Sequence, residues 1–462
     1  MMTNHRAQQK KALHGSLKAV TRQKGKGEPK IGVEEFLSVA ERFGFTKKTL
    51  DRIRAAVEKE DWGEGPFLGN YYTNLKETKG QAFVRVAKKT FGVDYALACS
   101  SGTAALHSAF VAAGVGPGTE VICPAIGFFA TAAAVVASRG VPVFCDVDES
   151  LSMDPSKIEA LITPRTAALA PTHVMGTVCN MEAICDIARR HNLRVVEDCA
   201  QSCGGHYKGR LVGTWGDLGC FSISAYKIVG GGEGGLVITG DERLWERANQ
   251  LAECGGLWRP DRFGPPRYEG EIFCGTNYRM SELEAAIDVV QLKRMPATVR
   301  RTRAVRMRIL RRLKTFREIL LQKLNDPEGD VGYCLRFFPE DIPLGERIVA
   351  DLKDRGISCG MRGKNAPTDW HVYSEMLPLI LKSGPTGEEC VYTCHHYLER
   401  GGGPVSYARG DCPVADDLFD RCITINLNQW MTVEDCRSLA DSLNQVLSNH
   451  CTADKEGTPW LS

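Results

Sequence analysis

The sequence predicts an α/β protein: a mainly parallel sheet in a large domain, followed by a smaller α+β domain. Three observations carry this. From about Tyr95 to Val196, short apolar runs of strand length alternate with stretches of helical spacing, the pattern of a parallel sheet with crossover helices. From Ser281 a helical pattern runs with few breaks to about Leu324, crossing Pro296, and a helix of that length often joins two domains. At 462 residues the chain is long enough for two or three domains and a large core.

Taken in order, residues 1–30 are rich in Lys, Arg and Gln, almost lack large apolar residues, and are expected to form a flexible basic arm. Phe36, Val39, Phe43, Leu50, Ile53 and Ala56 recur at helical spacing and predict two short helices. Gly63 to Tyr72 reads as a loop. Glu77 to Thr90 is helical, with Phe83, Val86 and Ala87 on one face. Strands are expected at Tyr95–Cys99, Glu120–Pro124, Val141–Asp146, Ala167–Thr172 and Leu193–Val196, and a semi-apolar one at Gly219–Ser224. Gly255 to Cys274 reads as a long loop. Asn277 to Leu283 opens the long helix, with Ser281 and Glu284 at capping-box spacing. Further strands (Tyr333–Phe338, Ile357–Met361, Cys422–Leu427) and helices (Gly345–Arg355, Thr432–Leu447) follow. The boundary is placed near Met295, giving a large domain over 31–294 and a small one over 295–462.

Composition narrows the function class. The net charge is only +2, so no general attraction to nucleic acid or membrane follows. No apolar run reaches membrane-spanning length, and the start lacks the hydrophobic segment of a secretory signal. The 18 cysteines are scattered through apolar runs without a Cys-x-x-Cys, which fits reduced core residues of a cytoplasmic protein. Cys390, Cys394, His395 and His396 cluster, but no second half stands at zinc spacing, so no metal is expected.

The chemistry concentrates between Glu197 and Gly235. Asp198 ends an apolar run, a lone Lys227 follows, and glycines surround it. An aspartate can keep a pyridine nitrogen protonated so that the ring acts as an electron sink, and a lysine can carry an aldehyde as a Schiff base and then move protons. Glycines let backbone approach a flat ligand. Ser100-Ser101-Gly102-Thr103, between a strand and a helix, fits both an anion site and an ordinary N-cap. Ser100–Thr103, Phe128, His173 and Asp198 each fall just after a strand. In a parallel sheet such positions converge beyond the strands' carboxyl ends. Arg259, Arg262 and Arg267 read as loop charges. Arg279 could meet an anionic group on a substrate, and His173 and His395 fit either a pocket wall or a structural place.

Taken together, the segments from about Gly63 to the C-terminus resemble the DegT/DnrJ/EryC1/StrS family of sugar aminotransferases. The motifs stand in family order: Ser100 to His107, Asp146-Val147-Asp148, Glu197-Asp198-Cys199-Ala200-Gln201, Gly216-Asp217, Cys220-Phe221-Ser222 with Lys227, Gly232-Glu233-Gly234-Gly235, and Asn277 to Leu283. The resemblance implies the type I fold of pyridoxal 5'-phosphate enzymes, with a seven-stranded sheet in the large domain. It implies Lys227 as the cofactor lysine, Asp198 at the pyridinium nitrogen, Gln201 at the phenolic oxygen and Phe128 stacked on the ring. Gly102, Thr103 and Ser222 would hold the phosphate, and Asn277 would reach it from the neighbouring subunit of a homodimer with shared active sites. Ser224, Tyr226 and Asn180 depart from the usual pattern. The implied reaction takes nitrogen from glutamate or glutamine to a keto-sugar or keto-cyclitol, with a dehydration on the same cofactor as the alternative. Some relatives replace the lysine with histidine and dehydrate instead, and Lys227 argues against that branch.

Overall fold

Each strand expected between Tyr95 and Asp198 forms in the computed structural model of the chain, which describes residues 29–63, 65–69, 76–257, 263–363, 366–382 and 391–461. Contacts divide the chain into two units, Met1–Thr73 and Asn74–Ser462. The first holds helices α1 (Val33–Glu41) and α2 (Lys47–Val57), and the Thr46 hydroxyl caps α2 by accepting from Thr49 N. Most of the basic arm, with Arg259, Arg262 and Cys390, lies outside the described residues.

The second unit opens with α3 (Lys79–Phe91), then β1 (Tyr95–Cys99), α4 (Gly102–Ala112), β2 (Glu120–Pro124), α5 (Ala130–Ala137), β3 (Val141–Cys145), β4 (Thr166–Leu169), α6 (Met181–Arg190) and β5 (Arg194–Asp198). A small hairpin, β6 (His206–Tyr207) with β7 (Arg210–Leu211), precedes β8 (Leu218–Ser222) and β9 (Gly235–Thr239). The sheet order is β1-β9-β8-β5-β4-β2-β3. Only β9 runs against its neighbours. The carboxyl ends of β1, β2, β4, β5 and β8 therefore share one edge, where the sequence reading expected them to converge.

Strand alternation divides the core between the two faces of this sheet. Ile122, Leu169, Val195, Phe221 and Ile238 pack with α3, α6 and the long helix, while Val121, Ala168, Val196, Cys220 and Val237 pack with α4 and α5. Both faces are covered, so the strands read as continuous apolar runs.

Helix α7 (Glu242–Ala252) leads to α8 (Glu282–Leu310), 29 residues long with Pro296 inside it. It stops at Leu310, short of the expected Leu324. Ser281 is its N-cap but accepts from Leu283 N, and Glu284 faces Asp288 one turn on instead of closing a capping box. Ala285, Leu292, Met295 and Val299 of α8 join the core under the large sheet, whereas Val305, Ile309 and Leu310 join a second core. That second core lies against a four-stranded antiparallel sheet, β10 (Ile319–Leu321), β11 (Cys334–Pro339), β13 (Ile423–Asn426) and β12 (Cys359–Gly360) in spatial order. Helices α9 (Ile342–Asp354) and α11 (Val433–His450) cover it, and α10 (Pro413–Arg421) precedes β13.

Candidate active site

The turn after β1 is both an N-cap and an open helix start. The Ser101 hydroxyl accepts from Ala104 N at 3.0 Å, while Gly102 and Thr103 hold first-turn N–H groups that have no partner within a helix. Glycine is required at 102 by space: a Cβ there would stand 2.6 Å from the Cβ of Ser222. The end of β8 thus brings the Ser222 side chain against the N-terminus of α4, a donor set suited to a phosphate.

Asp198 ends β5 and is buried. Its Oδ2 accepts from Thr131 Oγ1 at 2.5 Å and its Oδ1 from Ala200 N at 3.0 Å, which fixes the carboxylate plane. Thr131 is a supporting residue that no local sequence signal marks. Gln201 is also held: its Oε1 accepts from Met175 N at 2.7 Å, and its backbone carbonyl accepts from the Tyr333 hydroxyl at 3.0 Å. With Oε1 committed, the Gln201 side-chain NH2 is the group left for a ligand.

Lys227 lies in the turn after β8 and lines, with Gln201, Tyr333 and His371, a cavity of about 590 Å³, the size of an ordinary small-molecule site. Burial lowers its amine pKa from the usual lysine value, against the opposing pull of the Asp198 charge. Tyr226 stands at the rim, 93% exposed. Phe128 is half exposed on the loop after β2, with its ring 5.2 Å from that of His371.

Glu197, one residue before Asp198, points to the opposite face of the strand. Its Oε1 accepts from the backbone N–H of Trp215 and Gly216, both at 2.7 Å, and its Oε2 from Gly213 N at 2.8 Å. His173 completes this shell. Its Nδ1 accepts from Cys179 N, so Nε2 carries the proton and donates to Glu197 at 3.1 Å. His173 is 0% exposed, so the expected substrate role gives way to a structural one. His173, Glu197 and Cys199 form the one His/Cys/acid cluster of metal-like closeness among the described residues. Glu197 is already saturated by backbone donors, which accounts for the group without an ion.

The other substrate candidates also move. Arg279 pairs with the buried Glu253 at 3.0 Å and serves the junction between α7 and the start of α8. His395 is exposed and pairs with Glu399 on its own helical turn. Arg267 meets Glu246 at 3.5 Å. Asn277 is exposed, and its Oδ1 accepts from Arg279 N. Asn180 caps α6 by accepting from Ala183 N, which a short amide does as well as an aspartate.

The glycine run after Lys227 has a different purpose from the one expected. A Cβ on Gly231 would stand 2.6 Å from Asp288 Oδ1, and one on Gly232 would stand 2.6 Å from Glu284 Oε2. The run is clamped on two carboxylates of α8, not spread beneath a flat ligand. Burial and the Glu284 charge push fully buried Asp288 up to about 8. Burial raises Glu284 as well.

Residues 69–373 match the model of the DegT/DnrJ/EryC1/StrS aminotransferase family, and the chain belongs to that family. It is 36% identical over 415 residues to an L-glutamine:2-deoxy-scyllo-inosose aminotransferase of Streptoalloteichus tenebrarius, covering 87% of this chain and 92% of that one. It is 38% identical over 251 residues to a GDP-perosamine synthase of Caulobacter vibrioides, over 53% of this chain and 66% of that enzyme. The match to a Micromonospora echinospora relative likewise spans 60% of that protein. Among solved structures, an aminotransferase from Psychrobacter cryohalolentis superposes with a TM-score of 0.65 at 27% identity, covering 88% of this chain and 98% of that one.

The residues present fit the cofactor of this family. A helix start opposed by Ser222 suits its phosphate, buried Asp198 its ring nitrogen, the free Gln201 amide its phenolic oxygen, and desolvated Lys227 its aldehyde.

Proposed function

We propose that this protein is a pyridoxal-phosphate-dependent aminotransferase that takes nitrogen from glutamine or glutamate and delivers it to the keto group of a cyclitol or sugar. The observation that carries the reading is Lys227: a half-buried amine that lines a cavity, its pKa lowered by burial against the pull of the Asp198 charge. When bound, the cofactor supplies a ring that draws electron density from the donor's α-carbon.

The chain's own residues do the rest. Gly102, Thr103 and Ser222 would anchor the phosphate, and Phe128 would cover one ring face. Asp198, fixed by Thr131 and Ala200, would hold the proton on the ring nitrogen. Gln201 would donate to the phenolic oxygen. Lys227, its amine shifted toward the neutral form by burial, would take the proton from the donor's α-carbon and deliver it to the cofactor's C4′ carbon, then reverse the transfer for the acceptor. Two relatives are named for reactions of this kind, one on a deoxy-inosose with glutamine and one yielding GDP-perosamine.

We place the boundary between the large and small domains inside α8, supported by the division of its apolar residues between two cores. A cytoplasmic homodimer with shared sites is part of the same reading, with exposed Asn277 as the residue offered to the partner. Among the described residues no helix is long and apolar enough to cross a membrane.

The test is incubation of the cofactor-loaded protein with glutamine or glutamate and no acceptor. Bleaching of the visible cofactor band with stoichiometric release of the 2-oxo acid is expected. A band unchanged by either donor would end the reading. Mixing a Lys227→Ala chain with an Asn277→Ala chain tests the shared site, since mixed dimers should recover one intact site.

A further inference from the structure

We propose that His371, set by Asp369, and the amides of Asn428 and Gln429 form the acceptor subsite, with His371 Nε2 accepting a hydrogen bond from a hydroxyl of an uncharged polyhydroxylated ketone. The proposal rests on the aminotransferase reading above.

Residues 369–372 belong to the loop-rich stretch after β12, yet they are pinned to the loop that carries Phe128. Gly127 N donates to His371 O and Phe129 N to Trp370 O, both at 2.9 Å, and Ile126 pairs with Val372 in an isolated antiparallel bridge. His371 therefore reaches the Lys227 cavity on a fixed backbone. Asp369 Oδ1 accepts from His371 Nδ1 at 2.7 Å and from its backbone N at 3.0 Å. A carboxylate accepts only, so Nδ1 carries the proton, and in the neutral ring Nε2 presents its lone pair.

The two amides, on the turn after β13, line the same cavity and are fixed in the complementary sense. Asn428 Oδ1 accepts from Trp430 N at 2.9 Å, and Gln429 Oε1 accepts from Arg301 Nε at 2.9 Å. Each is left with an NH2 donor. The wall thus offers one acceptor and two donor groups, each with its other end tied to the protein. A ring hydroxyl both donates and accepts, so neighbouring hydroxyls of a polyol satisfy such a wall. A phosphate oxygen only accepts, and it would meet the Nε2 lone pair unfavourably.

The experiment measures the two half-reactions of the holoenzyme separately by the cofactor band, with glutamine as donor and 2-deoxy-scyllo-inosose as the acceptor probe. His371→Phe keeps the ring beside Phe128 and removes the lone pair. The ratio of acceptor to donor half-reaction rates is expected to fall about tenfold, the scale of one lost hydrogen bond. His371→Asn returns an acceptor oxygen and should recover part of the loss. Asn428→Leu and Gln429→Leu should raise the KM of the ketone more than they lower kcat. An unchanged ratio in His371→Phe would overturn the proposal, as would preference for a nucleotide-linked keto-sugar that His371→Phe leaves intact. Failure of the wild-type donor half-reaction would instead remove the aminotransferase reading on which the proposal rests.

Discussion

The residues proposed to hold the cofactor and those proposed to hold the acceptor are built into the fold in different ways. Asp198, Ser222 and the Ser101–Thr103 turn stand at strand ends, where the ladders of the seven-stranded sheet fix the backbone. His371, Asn428 and Gln429 stand on short irregular segments fixed by individual hydrogen bonds. The first construction suits groups that serve one cofactor without change. The second lets single substitutions alter which acceptor is bound without disturbing the sheet, the division of labour that loops and scaffold commonly show.

The largest effect should come from the proposed cofactor site. Lys227→Ala is expected to lower turnover about a thousandfold or more, with a melting temperature within a few degrees of wild type, checked by 2-oxo acid release and calorimetry. A rate near wild type would remove the lysine from the centre of the mechanism.

Glu197→Gln should separate scaffold from chemistry on adjacent residues. One carboxylate oxygen becomes a donor facing buried N–H groups, so unfolding stability should drop by about 3 kcal/mol. Denaturant titration checks it, and a loss under about 1 kcal/mol would mean that the shell relaxes freely. Gly102→Ala should weaken cofactor binding about tenfold and cost about 1–3 kcal/mol of stability, because the added methyl forces Ser222 and its strand away from the helix start. Equilibrium dialysis against the cofactor reads this directly.

The smallest effect should be one of pH. Asp288 has a folded-state pKa raised above its ordinary carboxyl value of 3.8, to about 8. The folded chain then binds more protons than the unfolded chain across that range. Its contribution is complete below the unfolded pKa and is lost as pH rises toward 8. Asp288→Asn should flatten the fall in melting temperature over that window, and an unaltered slope would assign it to other groups.

Much of the proposed cofactor site could be picked out in the sequence because its residues share one local signature, a polar or small residue close after an apolar strand-length run. Asp198, Lys227, Gln201, Ser222 and Gly102 were all reached that way or through the family motifs. His173 carried the same signature and was misread, since a signature at a strand end does not say which face the side chain takes. The alternation of two puts His173 with Glu197 and away from the cavity. The proposed acceptor site left no such mark. Asp369 and His371 sit in a loop-rich stretch more than 240 residues after Phe128, which they join through backbone pairing along Ile126–Phe129 and Trp370–Val372.

The sequence alone determined the periodic features: alternating strands and helices, the long helix across Pro296, the separate small α+β region, and the strand-end positions of the residues proposed to hold the cofactor. These follow from local chemistry repeated over short windows, where burial, caps and spacing act on neighbouring residues. The tertiary structure alone decided how the glycine run meets Glu284 and Asp288, how Thr131 fixes Asp198, and which ends of His371, Asn428 and Gln429 are left for a ligand. Each of these depends on a contact between segments distant in the chain. The lone pair or proton a side chain presents is set by the partner that occupies its other end, and no spacing within a short window can name that partner.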